Sequence, residues 1–316
     1  MYKDVRRIGR RAVRMILPIV VLVAVLRFVD LHQVAHALLS IPLPAVLLVL
    51  LLLVADRAAM GLKWRHLVNG TGGHLSVNDA VGIYFQTGFA ALLLPTSLGG
   101  EALRVGLGRR SGIPGDQLLA SMIVEKLVGG VSNALLAAAG LIYLLGSGRS
   151  EPTSLMALVA VASGTAALLS FLASQGRLHR WAGRLFGTLA PMKVRNFLNR
   201  LSSRLVIYGS QGPLLGVNLV MNVLEHVLQF LAMYTLGRAL GVTLGFWPFL
   251  AATAVVMLAR RTAGFLESFG LGEGGAILLY AAFGVPPAIS VSLALALWAT
   301  SIIAASPGAY LLWRRT

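Results

Sequence analysis

The sequence predicts an all-α integral membrane protein with about eight transmembrane helices, one or two re-entrant or broken segments, and both ends cytoplasmic. Three observations predict it. Charged residues make up 12% and apolar residues 57% of the 316 positions, and mean hydropathy is +0.80. Soluble domains carry about 25% charged residues, so there is too little polar surface here to cover a water-soluble globule. The apolar residues also fall in blocks of about 18–25, the length that carries a helix across the hydrocarbon core. Such continuous blocks exclude a barrel, whose strands alternate apolar and polar over about ten residues. Finally, Lys and Arg gather between the blocks, where cytoplasmic loops collect them.

Nine apolar segments follow in order: 12–29, 41–62, 80–98, 117–146, 153–174, 213–237, 244–259, 263–284 and 288–312. Arg6, Arg7, Arg10, Arg11 and Arg14 hold the start inside, so the first segment exits. The run from Met15 to Val29, followed by Ala35-His36-Ala37, has the look of a secretory leader. Arg27 and Asp30 interrupt it, so an uncleaved first helix is expected. The second segment returns to Lys63, Arg65 and His66, read as a cytoplasmic end. Segment 80–98 then leads from these cations to Arg104, Arg109 and Arg110, which belong on the same side. A single crossing cannot satisfy both ends, and Pro95, Gly99 and Gly100 break its helix. A re-entrant dip is expected, with its backbone covered by protein or a wet cavity.

Segment 117–146 exits, and 153–174 returns to the most basic stretch: Arg177, His179, Arg180, Arg184, Lys193, Arg195, Arg200 and Arg204. Within 176–206, Trp181, Leu185 and Leu189 recur every four residues. That spacing predicts a cytoplasmic amphipathic helix on the anionic inner leaflet. Segments 213–237 and 244–259 exit and return to Arg260-Arg261, and the last two leave Trp313-Arg314-Arg315 inside. The domain organisation expected is one polytopic membrane domain over 1–316, in two loosely repeated halves of about 1–174 and 175–316. The net charge of +16 belongs to these loops and to anionic lipid headgroups; with no basic block on a soluble domain, nucleic acid is excluded as a partner. The absence of cysteine removes disulfides, thiolate metal sites and thiol nucleophiles.

The informative residues are polar groups inside apolar blocks. In Leu94-Pro95-Thr96-Ser97-Leu98-Gly99-Gly100-Glu101-Ala102-Leu103-Arg104, proline frees a carbonyl and the glycines permit close backbone approach. Glu101 and Arg104 stand three apart, so they share a helix face and are expected to pair. A second set, Glu267-Ser268-Phe269-Gly270-Leu271-Gly272-Glu273-Gly274-Gly275, again surrounds carboxylates with glycine. One such patch is what a tight helix contact needs. Two in corresponding positions of two halves point to a transporter site built from discontinuous helices. Glu125 and Lys126 diverge by about 100° on their helix and should pair with other helices. Glu225-His226 lies mid-segment beside Asn222, where an ionisable group reads as functional. Asp56-Arg57, near a helix end, reads as a structural or snorkelling pair. Asp30, His32 and His36 are expected in a water-exposed loop, and no metal site is assigned. No Walker motif, nucleophile elbow or HExxH is present, so no catalytic residue or cofactor is expected.

The pattern Pro95-x-x-x-Gly99-Gly100-Glu101-x-x-Arg104, with Glu125-Lys126-Leu127 about twenty residues on, resembles the lysylphosphatidylglycerol synthase transmembrane (flippase-like) family. Lys63-Trp64-Arg65 is similar to its (R/K)-W element, Gly237-Arg238-Ala239-Leu240-Gly241-Val242 to its second-half turn, and Gly270-Leu271-Gly272-Glu273-Gly274 to its G-x-x-E-G. Two departures stand out. Leu266-Glu267 replaces a proline region, and Lys126 stands where the family has Arg, keeping the charge but losing the bidentate fork. The resemblance covers nearly the whole chain, and its stand-alone members lack the aminoacyl transferase domain.

What the resemblance implies is a lipid flippase rather than an enzyme, in the bacterial inner membrane. It would move a polar-headed lipid, of anionic, glycolipid, polyprenyl-phosphate or hopanoid type, between leaflets. The candidate pathway comprises Pro95, Gly99, Gly100, Glu101, Arg104, Glu125, Lys126, Glu225, Gly270, Glu273 and Gly274. Arg104 and Lys126 would attract the headgroup, while Glu101 and Glu273 hold these cations or relay protons. The alternative is a membrane subunit that supports a lipid-biosynthesis enzyme without transporting; an intramembrane transferase is a third reading.

Overall fold

The structure is a computed structural model that describes residues 31–93, 97–147, 192–262 and 271–314, with Ala157, Val161 and Gly164. Among the described residues the chain forms ten helices and no strand. In chain order these are α1 (Leu31–Leu39), α2 (Leu43–Asn69), α3 (Val77–Leu93), α4 (Ser97–Arg110) and α5 (Gly115–Gly146). They continue with α6 (Met192–Gly209), α7 (Gly212–Ala239), α8 (Phe246–Thr262), α9 (Leu271–Ala282) and α10 (Pro287–Trp313). The all-α membrane class expected from composition is what the chain adopts.

Among the described residues four helices are long and apolar enough to cross a bilayer: α2, α5, α7 and α10, of 27, 32, 28 and 27 residues. At about 1.5 Å per residue each exceeds the roughly 30 Å hydrocarbon core. Their outward stripes are apolar at helical spacing, with Leu43, Leu47, Leu51 and Val54 exposed on α2 and Val217, Val220 and Leu224 on α7. In water such a stripe would be a liability; against lipid tails it costs nothing. The polar residues of the same helices point the other way, so these helices are inverted relative to a soluble amphipathic helix.

Helices α3 and α4 form the broken segment. Gly100 of α4 sits against Thr87 and Ala91 of α3, and Arg104 one turn later reaches Tyr84. Rising numbers on α4 meet falling numbers on α3, so the two are antiparallel and Val77 and Arg110 lie at the same end. That is the dip that the flanking arginines demanded. Helices α8 and α9, read from sequence as separate crossings, are described over 17 and 12 residues and pack on one another, as α3 does on α4.

Two of the four apolar clusters among the described residues organise the bundle. One, around Leu141, Phe230, Leu236, Phe249, Tyr280 and Leu293, joins α5, α7, α8, α9 and α10. The other, around Trp64, Tyr84, Leu107 and Leu118, joins α2 to α5. Close backbone approach ties short helices to long ones. A Cβ on Gly140 of α5 would come within 2.6 Å of Ala251 on α8, and one on Gly308 of α10 would collide with the Phe85 backbone on α3.

Segment 12–29, segment 153–174 apart from Ala157, Val161 and Gly164, the signal-like start and residues 176–191 of the basic stretch lie outside the described residues. The remainder of that stretch is helical over Met192–Gly209, with Arg195 and Arg200 exposed and Leu205 and Tyr208 buried. His32 and His36 are exposed, as expected, but on helix α1 rather than in a loop. Among the described residues no group of three metal-ligating side chains occurs.

Candidate functional site

The polar site begins on α2. Lys63 was expected at a cytoplasmic end, yet it lies within the helix and its side chain is only 2% exposed. A lysine can stay charged at that depth only with close partners. It has them across the bundle on α7, donating to Asn222 Oδ1 at 2.8 Å and to Glu225 Oε2 at 2.8 Å. Asn218, Asn222 and Glu225 recur at helical spacing and face α2 together. Asn218 donates to the Lys63 carbonyl at 3.0 Å, and Asn222 donates back to Asn218. His226 Nδ1 is 2.8 Å from Glu225 Oε2, and its Nε2 faces the Gly129 carbonyl at 3.3 Å.

A second layer sits on the broken hairpin. Gly100 has no Cβ to hold α4 off α3; one there would stand 3.1 Å from the Ala91 Cβ. That approach delivers Arg104 onto Tyr84. The Arg104 guanidinium donates to the Tyr84 hydroxyl at 2.6 Å and to Glu125 Oε2 of α5 at 2.9 Å, and lies 4.2 Å from the Tyr84 ring centroid. Tyr84 donates in turn to Glu125 Oε1. Trp64 backs this layer, edge-on to Tyr84 and anchored by its indole N–H to Ser121 Oγ at 2.9 Å. Glu125 joins the two layers, because its Oε1 is 3.8 Å from Lys63 Nζ.

The pairing differs from the expected one. Glu101 and Arg104 share a helix but do not bond each other; Glu101 takes Lys126 of α5, and Arg104 takes Glu125. A contact across helices wins because α5 presents Glu125 and Lys126 about 100° apart, one toward the buried Arg104 and one toward the rim. The two pairs accordingly differ in depth. The Arg104 side chain is 16% exposed, whereas Lys126 is 63% exposed. Arg104 Nε is buried without a hydrogen-bond partner among the described residues, leaving a cation with donor capacity to spare behind an exposed ion pair.

Of the two readings for Asp56-Arg57, snorkelling falls away: Asp56 is buried, 4% exposed, and its Oδ1 has no hydrogen-bond partner among the described residues. Of the candidate residues, Arg104, Glu125 and Glu225 meet in this one network, Gly100 lets α4 approach α3, Glu101 and Lys126 form a separate pair at the rim, and Gly99 lies half-buried in the first turn of α4. Gly274 and Glu273 fall on α9; Pro95 and Gly270 lie outside the described residues. Sequence reasoning missed Lys63 and Tyr84 as members. A lysine six residues inside the end of its helix was the signal for the first. Nothing local marks Tyr84, whose role follows from Gly100 one helix away.

The comparisons with known proteins fit this architecture. The family model for the lysylphosphatidylglycerol synthase TM region matches residues 12–306. No curated protein and no solved structure matches the chain. The chain therefore belongs to the lysylphosphatidylglycerol synthase transmembrane-region family and is a multi-pass membrane protein.

Proposed function

We propose that this protein is a lipid flippase of the bacterial inner membrane, with both termini cytoplasmic, which moves an anionic or otherwise polar-headed lipid between leaflets and catalyses no covalent reaction. The observation that carries this reading is Arg104. It is a guanidinium on α4, 16% exposed and stacked on Tyr84, with donor capacity left over and an exposed Glu101–Lys126 pair in front of it. An anionic headgroup would first meet Lys126 and displace Glu101 from it, then share Arg104 with Glu125. Charge-assisted bonds to an arginine are the strong, directional contacts that phosphate headgroups favour. The broken hairpin supplies the second requirement, a polar surface at depth within an apolar bundle. The family, associated with lipid flippase-like function, supports the same reading.

The test is leaflet exchange of fluorescent phospholipid in vesicles containing the purified chain. We expect exchange with the wild type and loss of it in Arg104→Ala. Equal exchange in both would remove Arg104 from the pathway, and no exchange by the wild type would sink the flippase reading.

The second reading, a subunit for a lipid-biosynthesis enzyme, draws on one feature. A cavity of about 520 Å³ opens between α6 and the α4–α5 turn, lined by Arg109, Asp116, Phe197 and Arg200. An enzyme that copurifies and loses activity without this chain, while the chain alone exchanges no lipid, would favour it.

A further inference from the structure

Arg57 is a cation of the interior that takes no part in the network of Lys63, Glu125 and Arg104. It stands on α2, fourteen residues from the start of that helix and twelve from its end. At about 1.5 Å per residue it is about 18 Å from the nearer end. An arginine so far inside a membrane-spanning helix is costly unless paired, and marks a functional position by default. Lys63 holds Glu225 and Arg104 holds Glu125. Among the described residues the one acceptor for Arg57 is the thioether of Met60, with Sδ 3.9 Å from Nη1. Sulfur is a weak acceptor for a group with five N–H donors. Asp56, next in sequence, diverges by about 100° on the helix, and its Oδ1 takes no hydrogen bond from Arg57 or any other described residue.

The guanidinium has a place made for it. It lies against Gly88 of α3, where a Cβ would stand 3.0 Å from Nη1 and 3.3 Å from Cζ. Any side chain at 88 would fill that space. Gly88 is one turn further from Val77 than Tyr84, on which Arg104 stacks, a step of about 6 Å along α3. On α2 the same step runs from Trp64, whose ring centroid is 5.7 Å from Arg104 Cζ, through Met60 to Arg57. Two guanidiniums therefore follow one another along the seam of α2 and α3, with a flexible thioether between them.

The surroundings select the anion. Leu51 and Val54, on the turns of α2 before Arg57, are exposed, while Leu53 is buried. Arg57 is half-buried at the edge between that apolar stripe and the interior. A lipid can place its headgroup on the guanidinium and leave its acyl chains against the stripe; a free inorganic anion gains nothing from the stripe. The arginine fork takes two phosphate oxygens at once, and each is a stronger acceptor than the sulfur it displaces.

We propose that Arg57 is a second phosphate subsite, one turn beyond Arg104 on the α2–α3 seam, which receives the headgroup of an anionic lipid from Arg104 by displacing the Met60 thioether. No covalent bond is made or broken. The subsite presupposes the lipid transport proposed above and adds the headgroup's next station to it.

The experiment compares wild type, Arg57→Met and Arg57→Lys as full chains. One readout is exchange of fluorescent phosphatidylglycerol between the leaflets of vesicles. The other is calorimetric binding of short-chain phosphatidylglycerol in nanodiscs of phosphatidylcholine. We expect Arg57→Met to slow exchange by about tenfold or more, the worth of a charge-assisted hydrogen bond, while binding at Arg104 is retained. Arg57→Lys should recover part of the exchange. Thermal unfolding of Arg57→Met should not fall, because the residue replaced contributes no ion pair. Unchanged exchange in Arg57→Met overturns the subsite and leaves Arg104 and lipid transport standing. Loss of binding together with exchange overturns it too, by making Arg57 part of the first site. An Arg57→Met protein that melts lower or fails to fold assigns the residue to structure and overturns the subsite. Inorganic phosphate that slows wild-type exchange as well as short-chain phosphatidylglycerol does would make the station one for free anions, against the lipid assignment. No exchange by the wild type overturns the transport reading and the subsite with it.

Discussion

Where α3 meets α4 and α5, the contact is made by Tyr84, Arg104 and Glu125, a phenol, a guanidinium and a carboxylate joined by hydrogen bonds. Between the other pair of short helices, α8 and α9, Thr253 lies 169 positions after Tyr84. Its hydroxyl meets that of Tyr280 at 2.7 Å, and Tyr280 stacks on Phe249 with centroids 5.3 Å apart. Around it Phe230, Tyr234, Phe246 and Trp247 extend an aromatic cluster that contains no charge. In both places two short helices pack on one another between long ones. The first pair holds a charged cluster, while the described side chains about Thr253 are aromatic. Two short helices so packed are therefore not in themselves a site; they are a place where polar side chains can be held, as Tyr84, Arg104 and Glu125 are.

That contrast can be broken or sharpened by mutation, beginning with the deepest charge. Glu225→Ala strips Lys63 of its carboxylate at a position almost without solvent. Leaving a buried charge uncompensated costs about 3–5 kcal/mol, so thermal unfolding in detergent should move down sharply. Lys63→Met combined with Glu225→Met should recover much of the loss, because an apolar pair of similar volume suits the site. A double variant as unstable as Glu225→Ala alone would show that the pair does more than neutralise itself.

Arg104→Lys comes next. Lysine keeps the charge but cannot span Tyr84 and Glu125 in one plane. Lipid exchange should fall about tenfold, equivalent to about 1.4 kcal/mol, with the fold retained by circular dichroism. Tyr280→Phe makes the matching change in the second hairpin. It removes one buried hydroxyl contact, worth about 1 kcal/mol in stability, and should leave exchange as it was. If Tyr280→Phe slowed exchange as much as Arg104→Lys, the division between a polar and a packing hairpin would be wrong.

The smallest effect belongs to the rim. Lys126→Ala breaks an ion pair in which the lysine is 63% exposed; such pairs contribute about 0–1 kcal/mol. Its melting temperature should hardly move, while affinity for anionic lipid drops and becomes less sensitive to salt. A large loss of stability would place Lys126 in the structural network instead.

Much of this was legible beforehand because bilayer physics is harsh. Hydrophobic length, glycine and proline at a break, and arginines on both sides of segment 80–98 each have few acceptable solutions in lipid. The dip and the membership of Arg104, Glu125 and Glu225 follow from such constraints. Partner choice does not. Glu101 and Arg104 satisfy the i, i+3 rule and still take partners on α5, since a side chain bonds what tertiary packing brings within 3 Å, whatever its sequence spacing promises.

By itself, then, the amino-acid order determined the membrane class, the long helices and the broken segment, because the cost of an unpaired backbone group or a stray charge in hydrocarbon leaves little choice. Only the tertiary structure decided that Lys63 is a core residue and not a loop marker, that Asp56 is buried, and that Arg104 takes Glu125 while Glu101 takes Lys126. A buried charge is stable or ruinous according to what stands opposite it. For Lys63 that is an acid 162 residues away, a separation at which sequence carries no distance and only the packed helices supply one.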